Sequence, residues 1–246
     1  MVKLQGNCAL ITGASKGIGR AIALAFAAEG ADLAVTGRNE DELRSLAAAA
    51  EAQGVRCVVI AADLAERGAA LHVFDEATAG LGSIQILVNN AGVGSSANPK
   101  PVVNYDDDFW EMMMYVTLTA PYLLSKAVLP DMLAAKYGRI INIASINGKI
   151  AALHGAAYAA SKHGLLGLTR TLAMETAKEG ITVNAICPGP VHTLINDLRV
   201  QYDADRLGKS FLEYLIIAAA ALQAECIDRF QIEFERQMCE RSDLRG

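Results

Sequence analysis

The stretch "ITGASKGIGRAIA", residues 11–23, joins a short apolar segment to a helical pattern. Its glycines would permit a tight turn, a close approach of the backbone to a phosphate, and close packing of the helix. A pyrophosphate would then lie at the positive N-terminal end of that helix. Glycines also serve ordinary turns, but strand, turn and helix follow here in the order that a nucleotide site requires. The segment therefore predicts a dinucleotide-binding turn.

Strand-like and helical patterns alternate along the rest of the chain. Most strand-like segments are nearly continuous apolar runs, as expected of parallel strands that are covered on both faces. This alternation predicts an α/β fold, a single Rossmann-type domain over residues 1–246 with a doubly wound parallel sheet in the order 3-2-1-4-5-6. The predicted strands are CALITG, ADLAVTG, RCVVIAAD, IQILVNNAG, RIINIAS and ITVNAICPG. The predicted helices lie near residues 17–29, 40–53, 66–80, 105–136 and 157–179.

Composition and charge exclude several classes of function. Of the 246 residues, 52% are hydrophobic and 20% are charged, which excludes a disordered chain. The net charge of −5 comes without a basic stripe, so we expect no nucleic-acid partner. The five cysteines lack the spacing of metal ligands, and no signal peptide precedes the first strand, which predicts a cytoplasmic protein without a metal site. The longest apolar run, 215–222, is too short to span a bilayer, so no membrane partner is expected.

The second predicted strand ends in a cation where an NAD-binding protein would carry an acid. An acidic residue there would bind the ribose 2′-hydroxyl. This chain instead has Gly37 and Arg38, and Lys16 lies in the glycine-rich turn. Two cations would neutralise a 2′-phosphate, which favours NADP(H) over NAD(H). The alternative is that Arg38 is a solvated surface charge.

Polar residues also end the third and fourth predicted strands. Asp63 would accept a hydrogen bond from an adenine amino group, or cap a helix that begins near Glu66, or both. Asn89 and Asn90 would contact the cofactor or stabilise the central sheet, and the structural alternative is stronger for Asn90.

The segment "GAAYAASKHG", residues 155–164, places Tyr158 and Lys162 on one face of a helix. Ser145 ends the fifth predicted strand thirteen residues earlier, so the three side chains would meet at the carboxyl edge of the sheet. An ammonium within about 4–6 Å lowers the pKa of a phenol by roughly 1–3 units. The alternative is that Tyr158 merely packs in the core, but the convergence predicts an acidified phenol.

Five motifs in order resemble the classical short-chain dehydrogenase/reductase family. They are TGxxxGxG at 12–19, NNAG at 89–92, Ser145, YxxxK at 158–162 and PG at 188–189. The resemblance runs from about residue 4 to about residue 200. It is greatest to 3-oxoacyl-[acyl-carrier-protein] reductases and 3-hydroxybutyrate dehydrogenases.

The resemblance implies a hydride transfer between NADP(H) and a ketone, a 3-oxoacyl group or a secondary alcohol. It implies that Tyr158 is the general acid/base, that Ser145 polarises the substrate oxygen, and that Lys162 lowers the tyrosine pKa and binds the nicotinamide ribose. A cofactor-binding relative that is weakly active or non-catalytic is the alternative. The implied cofactor contacts are Gly13, Ser15, Lys16, Gly17, Ile18, Gly19, Arg38, Asp63, Leu64, Asn89, Ala91, Gly92, Tyr158, Lys162, Pro188, Gly189, Val191 and Thr193.

Two features depart from the family pattern. Thr117 stands where the family has an asparagine that kinks the fourth helix and holds a water linked to the lysine. Its hydroxyl would be a partial substitute, because threonine can bond to a carbonyl of its own helix. Residues 211–246 read as an amphipathic helix with an apolar residue at every fourth position, which predicts that the usual seventh strand is replaced by helix.

The substrate pocket would be bounded by the loop after Gly92, by residues 146–154 and by a lid at about 190–215. His154 would be a wall of this pocket rather than a catalyst. Relatives of this kind associate through their fourth and fifth helices, so we expect a homodimer or homotetramer.

Overall fold

A parallel six-stranded sheet forms the centre of the molecule. The computed structural model describes residues 3–189, 191 and 194–214. The spatial order β3-β2-β1-β4-β5-β6 confirms the predicted doubly wound fold. Residues 215–246, on which most of the predicted C-terminal helix falls, lie outside the described residues. The strands are β1 (Cys8–Thr12), β2 (Asp32–Gly37), β3 (Cys57–Ala61), β4 (Ile86–Asn89), β5 (Gly138–Ile143) and β6 (Ile181–Ile186).

Helices cover both faces of the sheet, which explains why the strands are apolar on both sides. On one face, Leu43 and Leu46 of the second helix pack with Ile11 and Val35. The third, fifth and sixth helices pack on the opposite face. Each fully buried aliphatic side chain stabilises the folded state by about 1.5–3 kcal/mol relative to an exposed one. The helices are α1 (Gly17–Ala28), α2 (Glu40–Glu51), α3 (Ala69–Leu81), α4 (Asp107–Met114), α5 (Ala120–Ala135), α6 (Ala156–Glu175) and α7 (Leu194–Arg206).

The stretch predicted as one helix over 105–136 is interrupted in its middle. A π-helical turn, Tyr115–Thr119, joins α4 to α5 and contains Thr117. Such turns are rare and occur often at functional sites. The continuous segment Asp107–Ala135 is long and apolar enough to cross a membrane by length and composition alone. Its buried side chains, however, belong to the core above the sheet, and this packing is sufficient to account for its apolar character.

The carboxyl ends of the parallel strands gather the polar motifs at one edge. The glycine-rich turn follows β1, the cation Arg38 follows β2, and Ser145 follows β5 by two residues. In open α/β sheets of this kind, ligands bind outside this edge, close to where the strand order reverses. Here the reversal falls between β1 and β4.

Candidate active site

The turn after β1 takes a shape that requires glycine. Gly13 and Gly17 have φ values of 64° and 55°, the left-handed region that favours glycine. A Cβ added to Gly19 would lie 2.3 Å from the Gly13 carbonyl oxygen, so α1 packs directly against the turn. Asn90 donates through Nδ2 to the carbonyls of Thr12 (2.9 Å) and Gly13 (3.0 Å). The Asn90 side chain therefore holds the turn in place, which is one of the two roles that the sequence analysis left open for it.

A cleft of about 520 Å³ opens beside this turn, and Ser15, Lys16, Arg38, Asn39 and Glu40 line it. The Arg38 side chain is exposed and makes no ion pair with any described residue. The Lys16 ammonium lies 3.3 Å from a carboxylate oxygen of Glu42. A glycine turn that admits phosphate and a cleft that carries two cations fit the adenosine half of a nicotinamide dinucleotide.

Asp63 lies in a short turn that follows β3. Asp63 accepts a hydrogen bond from the Ala65 amide at 2.9 Å. Helix α3 begins only at Ala69, after Gly68 in the left-handed region, so Asp63 closes a turn and does not cap a helix near Glu66. Leu64 is buried in the core under this turn.

The side chain of Asn89 lies inside the sheet–helix interface. Its Nδ2 donates to Asn142 Oδ1 at 2.8 Å and to Ser125 Oγ at 3.4 Å. Asn142 in turn donates to the Thr169 hydroxyl at 2.9 Å. This buried network connects β4 and β5 to α5 and α6. The Asn89 Nδ2 group therefore stabilises the sheet–helix interface, which is the structural alternative stated for this residue.

Ser145, Tyr158 and Lys162 meet at the carboxyl edge of β5. The Ser145 side chain is 6% exposed, accepts from the Asn147 amide at 3.1 Å, and lies close enough to the Tyr158 hydroxyl to lower the pKa of that phenol. The Lys162 ammonium lies 5.8 Å from the centre of the Tyr158 ring and donates to the Ile143 carbonyl at 2.7 Å. The structure thus brings together the three side chains that the spacing placed on one edge.

Burial controls the ionisation of both groups on α6. Burial raises the pKa of Tyr158, and the hydrogen bond from Ser145 lowers it in part. Burial also lowers the pKa of Lys162 to about 8, while the Cys187 charge acts in the opposite direction. The pKa of Tyr158 is therefore raised, whereas its spacing from Lys162 predicted that the pKa would be lowered. The reason is that desolvation of the phenol dominates, and the lysine is directed toward a main-chain carbonyl.

Thr117 lies against this cluster without bonding to it. Its side chain is fully buried and donates to Met113 Sδ at 3.6 Å, one turn earlier in the helix. A Cβ added to Gly92 would lie 3.7 Å both from the Thr117 hydroxyl and from Lys162 Nζ. Thr117 therefore borders the lysine site, with its hydroxyl used inside its own helix.

The remaining predicted contacts surround the same edge. Ala91 donates through its amide to the Thr12 hydroxyl at 3.0 Å, and Ile18 packs beside the core at the start of α1. The Pro188 carbonyl accepts from the Ile146 amide at 3.0 Å, and a Cβ on Gly189 would meet open space. Val191 is 41% exposed. Thr193 lies outside the described residues.

The sequence model of the "short chain dehydrogenase" family matches residues 7–203. The chain belongs to this family. It is 36% identical to D-beta-hydroxybutyrate dehydrogenase of Cupriavidus necator over 83% of this chain and 78% of that protein. It is 38% identical to a 3-oxoacyl-[acyl-carrier-protein] reductase of Pseudomonas aeruginosa over 78% of this chain and 76% of that protein. The predicted family resemblance is confirmed, and the protein is an NAD(P)-dependent oxidoreductase that acts on CH–OH groups.

Solved structures of similar chains include both cofactor types. A metagenomic short-chain oxidoreductase in complex with NADP is 37% identical, with a TM-score of 0.71, over 82% of this chain and 91% of that one. NAD⁺-bound xylitol dehydrogenase is 32% identical, with a TM-score of 0.76, over 82% of this chain and 77% of that one. The comparisons therefore agree on a nicotinamide cofactor and leave the choice between its two forms to the residues of this chain.

Proposed function

We propose that the enzyme uses NADP(H) to reduce a ketone or a 3-oxoacyl group, or catalyses the reverse oxidation of a secondary alcohol. The observation that carries this proposal is the convergence of Ser145, Tyr158 and Lys162 at the sheet edge where the glycine-rich turn opens. When bound, the nicotinamide supplies the hydride for reduction or accepts it during oxidation.

The chain's own residues supply orientation and the proton. The Ser145 hydroxyl would bind the substrate oxygen and hold it beside the Tyr158 phenol. Because burial raises the pKa of Tyr158, the phenol stays protonated at neutral pH and is ready to donate to the oxygen as negative charge develops there. The Lys162 ammonium lies 5.8 Å from the centre of the Tyr158 ring, and it would bind the cofactor ribose and contribute to the electrostatic field around the phenol.

The preference for NADP(H) rests on Arg38 and Lys16. Arg38 is the exposed cation of the cleft that has no ion-pair partner among the described residues, so it is available to a 2′-phosphate. Lys16 shares its charge with Glu42, which weakens its contribution. The complex of the 37% identical oxidoreductase with NADP is consistent with this preference.

A weakly active, cofactor-binding relative is the second candidate. It is favoured by the Thr117 hydroxyl, which bonds Met113, and by the Lys162 ammonium, which bonds the Ile143 carbonyl. Neither contact provides the solvent-linked partner that the family asparagine gives to the lysine. A slow resupply of protons to Tyr158 would leave binding intact and reduce turnover.

We also propose a cellular location, an oligomeric state and a substrate lid for the enzyme. We place it in the cytoplasm as a homodimer or homotetramer with small-molecule substrates, and we assign residues 190–215 as the substrate lid of a single domain. The test of the function is a panel of ketones and acyl thioesters assayed with NADPH and with NADH. We expect NADPH to be consumed in proportion to alcohol formed, with about tenfold higher kcat/KM than NADH, the effect of one charged contact.

Three outcomes of this panel would contradict the main proposal. Tight NADPH binding by fluorescence without turnover of any substrate would establish the second candidate. Equal or better use of NADH would remove the assignment of Arg38 to the 2′-phosphate. Product formation without net consumption of cofactor would indicate an isomerase or dehydratase that uses the same tyrosine.

A further inference from the structure

Helix α7 contacts the loop 151–155 through side chains that the proposed reaction does not use. The Tyr202 hydroxyl lies 2.6 Å from His154 Nδ1, and the two rings meet edge to face with centroids 6.1 Å apart. Arg199, one turn earlier in α7, donates through Nη2 to the Leu153 carbonyl at 3.0 Å. Two adjacent residues of the loop are therefore bound from the same face of α7.

We propose that Tyr202 and Arg199 are positioning residues, which fix α7 on the loop 151–155 and so set the substrate side of the active site. The loop joins the two catalytic hydroxyl groups: it follows Ser145 and leads into α6, where Tyr158 lies four residues after His154. A helix fixed to this loop takes its position from the same segment that holds the reacting groups.

Asp203 fixes the orientation of the Arg199 guanidinium. Arg199 Nε and Nη2 lie 2.7 Å and 3.0 Å from the two carboxylate oxygens of Asp203, which is 6% exposed. Such a two-point pair fixes the plane of the guanidinium. Arg206 also approaches Asp203, with its Nε 3.6 Å from Asp203 Oδ1. The orientation of Arg199 toward the loop is thus determined within α7.

The loop is held in an unusual backbone conformation. His154 has φ of 57°, a left-handed value that is uncommon for residues other than glycine. Its carbonyl accepts from the Lys100 amide at 3.2 Å, while its ring faces Tyr202. A Cβ on the next residue, Gly155, would lie 3.0 Å from Ala152 and 3.2 Å from Ser95. Backbone in sparsely populated regions persists where its surroundings fix it, and here both the main chain and the side chain of His154 are bound.

Loss of the contact between Tyr202 and His154 should affect binding of the carbonyl substrate and leave binding of the cofactor unchanged. Among the described residues, Tyr202 contacts neither the dinucleotide turn nor the cleft at Arg38, so loss of its hydroxyl should loosen α7 and leave cofactor binding unchanged. The effect on substrate rests on the proposed function, whereas the effect on α7 itself does not. Hydrogen exchange of α7 is therefore the primary measurement, and substrate kinetics is the second.

The test compares Tyr202→Phe with Tyr122→Phe in the full chain. Both changes remove one hydroxyl and keep the ring, and Tyr122 is a 45% exposed residue on α5 whose hydroxyl bonds to none of the residues that the structure describes. His154→Asn is the second variant, because asparagine tolerates the left-handed backbone. The double variant completes a double-mutant cycle, which isolates the coupling between the two side chains.

We expect amide exchange in residues 194–206 and 151–155 to accelerate about 3- to 10-fold in Tyr202→Phe, the range for one lost hydrogen bond. The double variant should show no further acceleration beyond the larger single effect. KM for the best carbonyl substrate should rise by a similar factor while Kd for NADPH stays within twofold. Unchanged exchange in both single variants, or additive effects in the double variant, would overturn the positioning role even if the enzyme proves to be inactive. Faster exchange with an unchanged KM on an active substrate would overturn its link to substrate.

Discussion

The two halves of the site are held by different means. On the β1–β2 side, the shape of the glycine-rich turn depends on the absence of side chains. Gly13 and Gly19 lie so close together that there is no room for a Cβ on Gly19. On the β5–β6 side, Ser145 and Lys162 are fixed by burial and by hydrogen bonds, one that Ser145 accepts from the Asn147 amide and one that Lys162 donates to the Ile143 carbonyl, and Tyr158 lies between them. The first half is rigid because of its backbone, and the second depends on its side-chain partners.

This difference predicts how each half responds to mutation. A change in the glycine turn displaces main chain and should damage cofactor binding and folding together. A change in the tyrosine cluster removes a reacting group while its surroundings stay in place, so catalysis should fall without loss of binding.

The largest effect is expected for Tyr158→Phe. The variant keeps the packed ring and loses the phenolic proton that lies beside Ser145. We expect kcat to fall by about 10² to 10⁴, the usual contribution of a general acid. Stopped-flow kinetics with fluorescence titration of NADPH would measure both steps, with Tyr122→Phe as the control. Turnover within a few-fold of the wild type would separate Tyr158 from the chemistry.

Gly19→Ala should produce the next largest effect. Its methyl group would lie 2.3 Å from the Gly13 carbonyl oxygen and 2.5 Å from Asn90 Nδ2, so main chain has to move. We expect roughly 100-fold weaker NADPH binding, as for a displacement of about 1 Å at a site, and a loss of about 1–3 kcal/mol in unfolding free energy. Gly167→Ala is the matched control, because that helical position has open space and alanine there should stabilise by up to about 1 kcal/mol. Unimpaired binding by Gly19→Ala would show that the turn adapts.

Lys162→Met should change how stability depends on pH. The folded pKa of Lys162 is about 8 and its ordinary value is 10.5, so between these pH values the unfolded chain binds the extra proton. Stability of the wild type relative to the variant should therefore rise with pH across that window, by roughly 3 kcal/mol at most since one pKa unit is about 1.4 kcal/mol. Urea unfolding of both proteins from pH 7 to 10 measures the difference. A flat difference would mean that Lys162 titrates normally.

Arg38→Gln should have the smallest effect, confined to one cofactor. Removing the charge should raise KM for NADPH about tenfold, as for one charged contact, and leave KM for NADH within twofold. Arg44→Gln is the control, since Arg44 is engaged by Glu40 at 3.0 Å on the exposed face of α2. Equal loss for both cofactors would indicate a general distortion of the cleft.

Sequence reasoning succeeded where the structure is local. The alternation of strands and helices followed from alternating apolar runs, and the meeting of Tyr158 and Lys162 followed from their spacing on one helix. The placement of the glycine-rich turn followed from three glycines between a strand and a helix. In each case the relevant interaction lies within a few residues or within one βα unit.

It failed where contacts join distant segments or where solvent decides. The network of Asn89, Asn142 and Thr169 spans three elements, and its one visible signal was a polar Asn142 within the apolar strand RIINIAS. The pKa of Tyr158 moves upward because burial outweighs its neighbours, and burial is not readable from spacing. The contact between His154 and Tyr202 joins residues 48 positions apart and has no signature in the sequence.

The central claim is that this tyrosine cluster completes a hydride transfer to a carbonyl carbon. The most direct test is a single turnover of the wild-type enzyme with the best ketone of the panel. The NADPH in this test carries deuterium in place of both hydrogens on C4 of the nicotinamide. The account predicts one deuterium on the carbinol carbon of the product, and its formation should be abolished on the same timescale in Tyr158→Phe. An alcohol whose carbinol hydrogen comes from solvent, or labelled alcohol formed equally fast by the variant, would contradict it.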